Sequence, residues 1–217
     1  MDDDRDLPAG DFSSWLSGML AALRGERSSD VPCGTCTACC ASSQFVHIGP
    51  DESDTLAHLP GELLFPAPRM PAGHVLLGYD ERGRCPMLGD AGCSIYEHRP
   101  RACRTYDCRV LPAAGVDPDD KPLVADRVRR WRFAYPAPAD RDRHAAVLAA
   151  ASALADRPDL LPGGVAASAT QRAVLAVEIH DTFLHRDEAT GRTVVVAPEV
   201  DEVRVAVRRR TGGGEIT

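Results

Sequence analysis

Phe12, Trp15, Leu16, Met19, Leu20 and Leu23 recur at spacings of three and four within DFSSWLSGMLAALR, residues 11–24. That period predicts an amphipathic helix whose apolar stripe packs on the domain. Asp11 or Ser13 stands where a cap belongs, and Gly25 follows the end. A polar joint, GERSSD, comes next. Residues 59–73, LPGELLFPAPRMPAG, carry four prolines and predict an irregular covering loop. HVLLGY (74–79) predicts a short strand and DERG (80–83) a turn.

The second half of the chain follows a helical period more closely. Residues 118–132 and 139–156 predict helices rich in Ala, Leu and Arg. In RVRRWRFAY (127–135) an alternation of period two competes with that reading. ATQRAVLAVEIHDTFLHR (169–186) predicts a helix and RTVVVA (192–197) a strand. PEVDEVRVAVRRRTGGG (198–214) carries helix punctuation: proline first, acids early, arginines late, glycines after. Its VRVAV alternation argues for a strand instead. Both chain ends are expected to fray.

Composition narrows the function classes. The formal charge of −7 over 217 residues, with a pI near 5.5, argues against a nucleic-acid partner. The acidic opening MDDDRDLPAGD lacks the apolar core of a secretory signal. The longest apolar run, AAVLAAASALA (145–155), is too short to span a bilayer. The expected setting is therefore cytoplasmic and off the membrane. In that compartment thiols stay reduced, so clustered cysteines point to metal ligation or redox chemistry rather than to disulfides.

All eight cysteines fall between Cys33 and Cys108. They run Cys33-x2-Cys36-x2-Cys39-Cys40, then, after 44 intervening residues, Cys85-x7-Cys93-x9-Cys103-x4-Cys108. Thiolates are soft ligands suited to Zn²⁺ or iron–sulfur clusters. Three thiols at successive x2 steps can wrap one corner of a cubane. Four-thiolate zinc more often takes one close pair from each of two segments. The adjacent Cys39 and Cys40 project in different directions, which favours two sites. Cys33, Cys36 and Cys39 form one set with a remote cysteine, for which Cys85 before Pro86 is the choice. Cys40 joins the remaining three. Six arginines (Arg82, Arg84, Arg99, Arg101, Arg104 and Arg109) against three acids in residues 82–109 would offset the thiolate charge. His47 and His98 are the histidines weighed as further ligands. Ile95 and Tyr96 are expected to pack the site on the domain, and Arg99-Pro100 to shape a turn or helix start.

CGTCTACC followed by CPMLGDAGCSIYEHRPRACRTYDC resembles the CxxCxxCC family, the YkgJ-type cysteine-cluster proteins described as zinc- or iron-chelating. All eight cysteines fit its pattern, as do Pro86, Leu88, Ile95, Tyr96, Arg99, Pro100, Arg104 and Tyr106. The resemblance covers residues 31–110 and implies metal chelation with the metal left open. A bacterial flagellin lysine methylase carries a similar cluster, but no methyl-donor site is recognisable here.

These readings predict an α+β fold in which an irregular, metal-centred cysteine region is flanked by helices, with a mostly helical C-terminal half and few short strands. Three regions are expected: an acidic tail and helix (1–30), the cysteine region (31–112) and the C-terminal region (113–217). The leading function is chelation of an iron–sulfur cluster, of the 4Fe–4S type, or of Zn²⁺, with a redox or electron-transfer role and a redox or protein partner. A structural zinc module is the alternative, followed by a thiol-redox enzyme and a relative of the methylase. No serine, histidine or carboxylate set stands out as catalytic.

Overall fold

The computed structural model describes residues 5–29, 31, 35–118, 121–161, 168–188 and 191–211. Cys33 lies outside them. The fold is α+β, with helices and short strands in small sheets. Among the described residues no helix is long and apolar enough to cross a membrane. The chain divides into two compact units: Met1–Leu20, Cys108–Asp119 and Val128–Thr217 in one, Ala21–Asp107 and Asp120–Arg127 in the other.

The first unit holds most of the helices. Helix α1, Phe12–Leu23, forms as its period predicts and begins in this unit. Phe12, Trp15, Leu16 and Met19 on its first turns are buried. Each such side chain contributes about 1.5–3 kcal/mol by leaving water. The Phe12 ring lies 5.0 Å from Phe133 and 4.4 Å from the His144 imidazole. Ahead of it, strand β1 (Leu7–Asp11) pairs in parallel with β7 (Trp131–Ala134), with a bulge between Pro8 and Gly10. Both chain ends are expected to fray as termini, yet the described residues of the opening are paired, with Trp131 opposite Leu7. The period-two reading wins at β7, where Trp131 is buried and Arg132 exposed. The helix expected over 118–132 is therefore only α5, Pro122–Val128.

Helix α6 (Pro138–Asp156) buries Ala146, Val147, Ala150 and Leu154 against α7 (Ala169–Ile179). Ser168 and Gln171 close a capping box on α7: Ser168 Oγ accepts the Gln171 N–H at 3.2 Å, and Gln171 Oε1 accepts the Ser168 N–H at 2.8 Å. The helix expected to reach 186 stops at Ile179. A 3-10 turn, His180–Phe183, follows, then strand β8 (Leu184–Arg186) pairs with β9 (Thr193–Val195). Burial of Phe183 explains the break, since a continued helix would direct it elsewhere. Helix α8, Val200–Arg210, has Asp201 and Glu202 in its first turn and three arginines in its last. Its punctuation thus outweighs its alternation. The short α4 (Val110–Ala113) is almost wholly buried.

The second unit is built on a three-stranded antiparallel sheet of order β2-β4-β3, from Val46–Ile48, Val75–Leu77 and Leu64–Pro66. Strand β3 lies inside the stretch expected to be an irregular loop. Its Leu64 and Phe65 pair with Leu77 and Leu76 despite the flanking prolines, because it is an edge strand. Ile48, Leu59, Leu77 and Ile95 form the small core, and Cys85, Met87 and Cys93 pack against it. Helix α2 (Ser53–Ala57), the hairpin β5–β6 (Leu88–Gly89 and Gly92–Cys93), helix α3 (Arg101–Thr105) and α5, all but its last residue, also belong to this unit.

Candidate metal centre

Of the seven described cysteines, six belong to the second unit, in two stretches of chain that backbone hydrogen bonds tie together. Cys39 and Cys40 open a 3-10 turn, Cys39–Ala41. At three residues per turn, adjacent side chains leave it about 120° apart. The Cys85 N–H donates to the Cys40 carbonyl at 2.7 Å, and the Ser43 N–H to the Gly83 carbonyl at 2.8 Å. The expected turn over 80–83 makes the second contact: Asp80 Oδ1 accepts the N–H groups of Arg82 and Arg84. Gly83 has φ +74, and a Cβ there would sit 2.3 Å from Ser43 Oγ. Only glycine fits that approach.

The first stretch is tied on its other side too. Ser29 donates its N–H to the Arg104 carbonyl at 2.8 Å and its hydroxyl to the Thr105 carbonyl at 2.9 Å, at the end of α3. Helix α3 carries Cys103. Its start is held by the buried carboxylate of Glu52, which accepts the Gly49 N–H at 2.9 Å and the Arg101 N–H. Arg101 also pairs with Asp51. These carboxylates are placed by the turn after β2 and had no role in the sequence reading. Their signal there was only a run of acids, PDESD.

The thiols are close in space. Cys103 is exposed over the residue as a whole, yet protein crowds its sulfur. Burial, then the neighbouring thiols of Cys40, Cys85 and Cys93, push its pKa up to about 12; Arg99 opposes the shift. Burial also raises Cys85, with Cys93 adding to the effect. The thiols of Cys40, Cys85 and Cys93 thus all act on that of Cys103, while Cys33, the start of the run to which Cys85 was assigned, lies outside the described residues. Cys36 is half-buried. Cys108 belongs to the first unit, buried, with its sulfur accepting the Trp131 indole N–H at 3.3 Å.

The flanking residues divide. Ile95 is core, as expected, while Tyr96 is 56% exposed and carries the Arg99 guanidinium 3.5 Å above its ring. Arg99 Nε is buried without a hydrogen-bond partner among the described residues. Pro100 leads into α3, the helix start expected there. Among the six arginines, Arg99 carries charge that acts on Cys103. Arg104 lies 4.0 Å from Glu52, and Arg109 is buried in the first unit, donating to the Ala9 carbonyl. His47 pairs with His74 at 2.9 Å, and His98 with Asp54 at 2.9 Å.

A soft donor set, half-buried and with one guanidinium beside it, suits a metal centre that carries net negative charge. Comparison with known proteins agrees. Residues 32–116 match the model of the CxxCxxCC family, described as "putative zinc- or iron-chelating domain". No curated protein and no solved structure matches the chain.

Proposed function

We propose that this zinc- or iron-chelating segment holds iron–sulfur chemistry in its cysteines and serves electron transfer or an accessory redox role. The supporting observation is that Cys40, Cys85 and Cys93 all bear on the Cys103 thiol, across up to 63 residues of chain. Those four would hold one centre. Cys33, Cys36 and Cys39, with their x2 steps, would supply a second, and Cys108 is the eighth candidate ligand. When bound, an iron–sulfur cluster supplies reversible one-electron chemistry.

The chain's own residues prepare the site. A thiol with a pKa near 12 stays protonated at neutral pH, so ligation must displace its proton to solvent. The Arg99 guanidinium favours the thiolate that results. The packing of Cys85 and Cys93 on Ile48, Leu77 and Ile95 limits water around their sulfurs. Glu52 orients α3 and hence Cys103.

A structural zinc module is the second reading, favoured by the same closed set of four thiols drawn from distant segments. Analysis of anaerobically purified protein for iron, zinc and acid-labile sulfide separates the two. Brown protein with iron and sulfide in comparable amounts supports the redox reading. Colourless protein with zinc and no sulfide supports the scaffold. Metal-free protein with every thiol open to titration overturns both.

A further inference from the structure

Asp54, His58 and His98 each bring one ligand-type atom to within 4.8 Å of the others. No cysteine is among them. Asp54 and His58 are four residues apart across α2 and its C-cap, so they share a helix face. His98 arrives from the 3-10 turn Tyr96–His98, just ahead of α3. Its Nδ1 lies 2.9 Å from Asp54 Oδ2 and must donate, since a carboxylate only accepts. His58 Nδ1 donates to the Asp54 carbonyl at 2.8 Å and lies 3.8 Å from Asp54 Oδ1. The two imidazoles are stacked, 3.5 Å between centroids and 6° between planes.

We propose that Asp54, His58 and His98 form a further metal site, apart from the cysteines, for a borderline divalent cation and Zn²⁺ first. The donor set decides the class. Imidazole with carboxylate suits Zn²⁺, Ni²⁺ and Cu²⁺, whereas Ca²⁺ and Mg²⁺ want oxygen alone, and iron–sulfur clusters want thiolates. Three protein ligands leave a coordination position for water. All three side chains are open to solvent, at 66%, 41% and 38% exposure for Asp54, His58 and His98, so a hydrated ion reaches them directly. The parallel rings do not yet aim their lone pairs at one point. Rotation of two surface rings closes the site without disturbing the core. A bound ion would join α2 to the turn that leads into the Cys103 helix, beside the Asp51–Arg101 pair. This site stands whether or not the thiolate reading does.

The test uses the full chain with whatever metal its cysteines carry, washed with a weak chelator and dialysed against Zn²⁺ at neutral pH. Wild type should take up one further Zn²⁺ per chain. His98→Gln, His58→Gln and Asp54→Asn should each weaken that uptake about tenfold or more, while the metal and sulfide carried from purification stay unchanged. Asp54→Asn, an exposed and nearly isosteric change, guards against loss through misfolding. Co²⁺ in place of Zn²⁺ should show no thiolate-to-metal charge-transfer band from the added equivalent. Absence of the extra ion, equal uptake by the three variants, or a thiolate band on the added Co²⁺ would overturn the proposal.

Discussion

The Cys85 amide donates to the Cys40 carbonyl at 2.7 Å, joining the two cysteine stretches through main chain. The bond uses main-chain atoms of both residues, and the neighbouring Ser43–Gly83 bond holds the same alignment. Gly83→Ala should break that alignment. The left-handed φ alone costs about 1–2 kcal/mol in an L-residue, and the added Cβ collides with Ser43 Oγ. The variant should melt lower and purify with less metal. Wild-type metal content and melting temperature would show that the clamp is dispensable.

Cys39 and Cys40 leave their 3-10 turn in different directions. Cys39→Ser and Cys40→Ser should therefore deplete different centres. With iron–sulfur, each variant should lose a distinct component of the reduced spectrum; with zinc, each should lose about one ion. Identical spectra and metal counts in the two variants would argue for a single centre. Cys108→Ser should lower bound metal if all eight cysteines are ligands. If it keeps full metal, Cys108 leaves the ligand set and remains the acceptor for Trp131.

The raised Cys103 pKa has a chemical consequence in metal-free protein. With the thiol pushed up to about 12, little thiolate is present at neutral pH, and the thiolate is the nucleophile. Alkylation of Cys103 should be slower than that of a free thiol and should speed up with rising pH. Metal loading should release protons, measurable in weak buffer. Rapid alkylation of Cys103 at neutral pH would contradict its crowded setting.

Glu52→Ala should destabilise the second unit. It removes a buried acceptor from the Gly49 and Arg101 amides, and hydrogen bonds to a charged group are each worth about 1.5–3 kcal/mol. The readout is denaturant unfolding together with metal retention, since Cys103 lies two residues beyond Arg101. An unchanged midpoint would mean that Asp51 and the helix backbone suffice.

Burial lowers the pKa of His144 and of His180. Tyr135 Oη lies 2.6 Å from His144 Nδ1, and burial raises the tyrosine pKa, so the hydroxyl donates to a neutral imidazole. The unfolded chain takes up a proton at each histidine near pH 6.5, while the folded chain does so only at lower pH. Stability should therefore be full above about pH 6.5. It should fall as the pH drops toward the folded-state values, by at most about 1.4 kcal/mol per pH unit for each histidine. His144→Phe should flatten that slope in thermal melts between neutral and mildly acid pH. A slope unchanged by the variant would remove His144 from the account.

Local pattern was enough for the elements that satisfy themselves. Helix α1 follows from a 3.6-residue apolar period, α8 from acids at its start and arginines at its end, and the 80–83 turn from Asp and Gly. The thiol-rich chemistry was equally legible, because eight cysteines at short, regular spacings within one segment declare a set of soft donors. Strands β1 and β3 were not legible. Each is short, contains proline, and exists only because another strand completes its hydrogen bonds, far along the chain for β1 and across the following proline-rich loop for β3. The same limit applied to Glu52 and to the Asp54–His58–His98 group: acids and histidines scattered over 45 residues become a set only when α2 and the Tyr96–His98 turn meet.

From composition and spacing alone, the chain declares its soft donors, its helices and its α+β character, because these depend on residue identity and neighbours within a few positions. Which thiols share a centre is decided elsewhere. Two backbone hydrogen bonds and a four-residue core set the path of the chain between Cys40 and the stretch that carries Cys85 and Cys93, and all three thiols act on that of Cys103. Such pairings join residues tens of positions apart, and only the tertiary structure can bring them within reach of one ion.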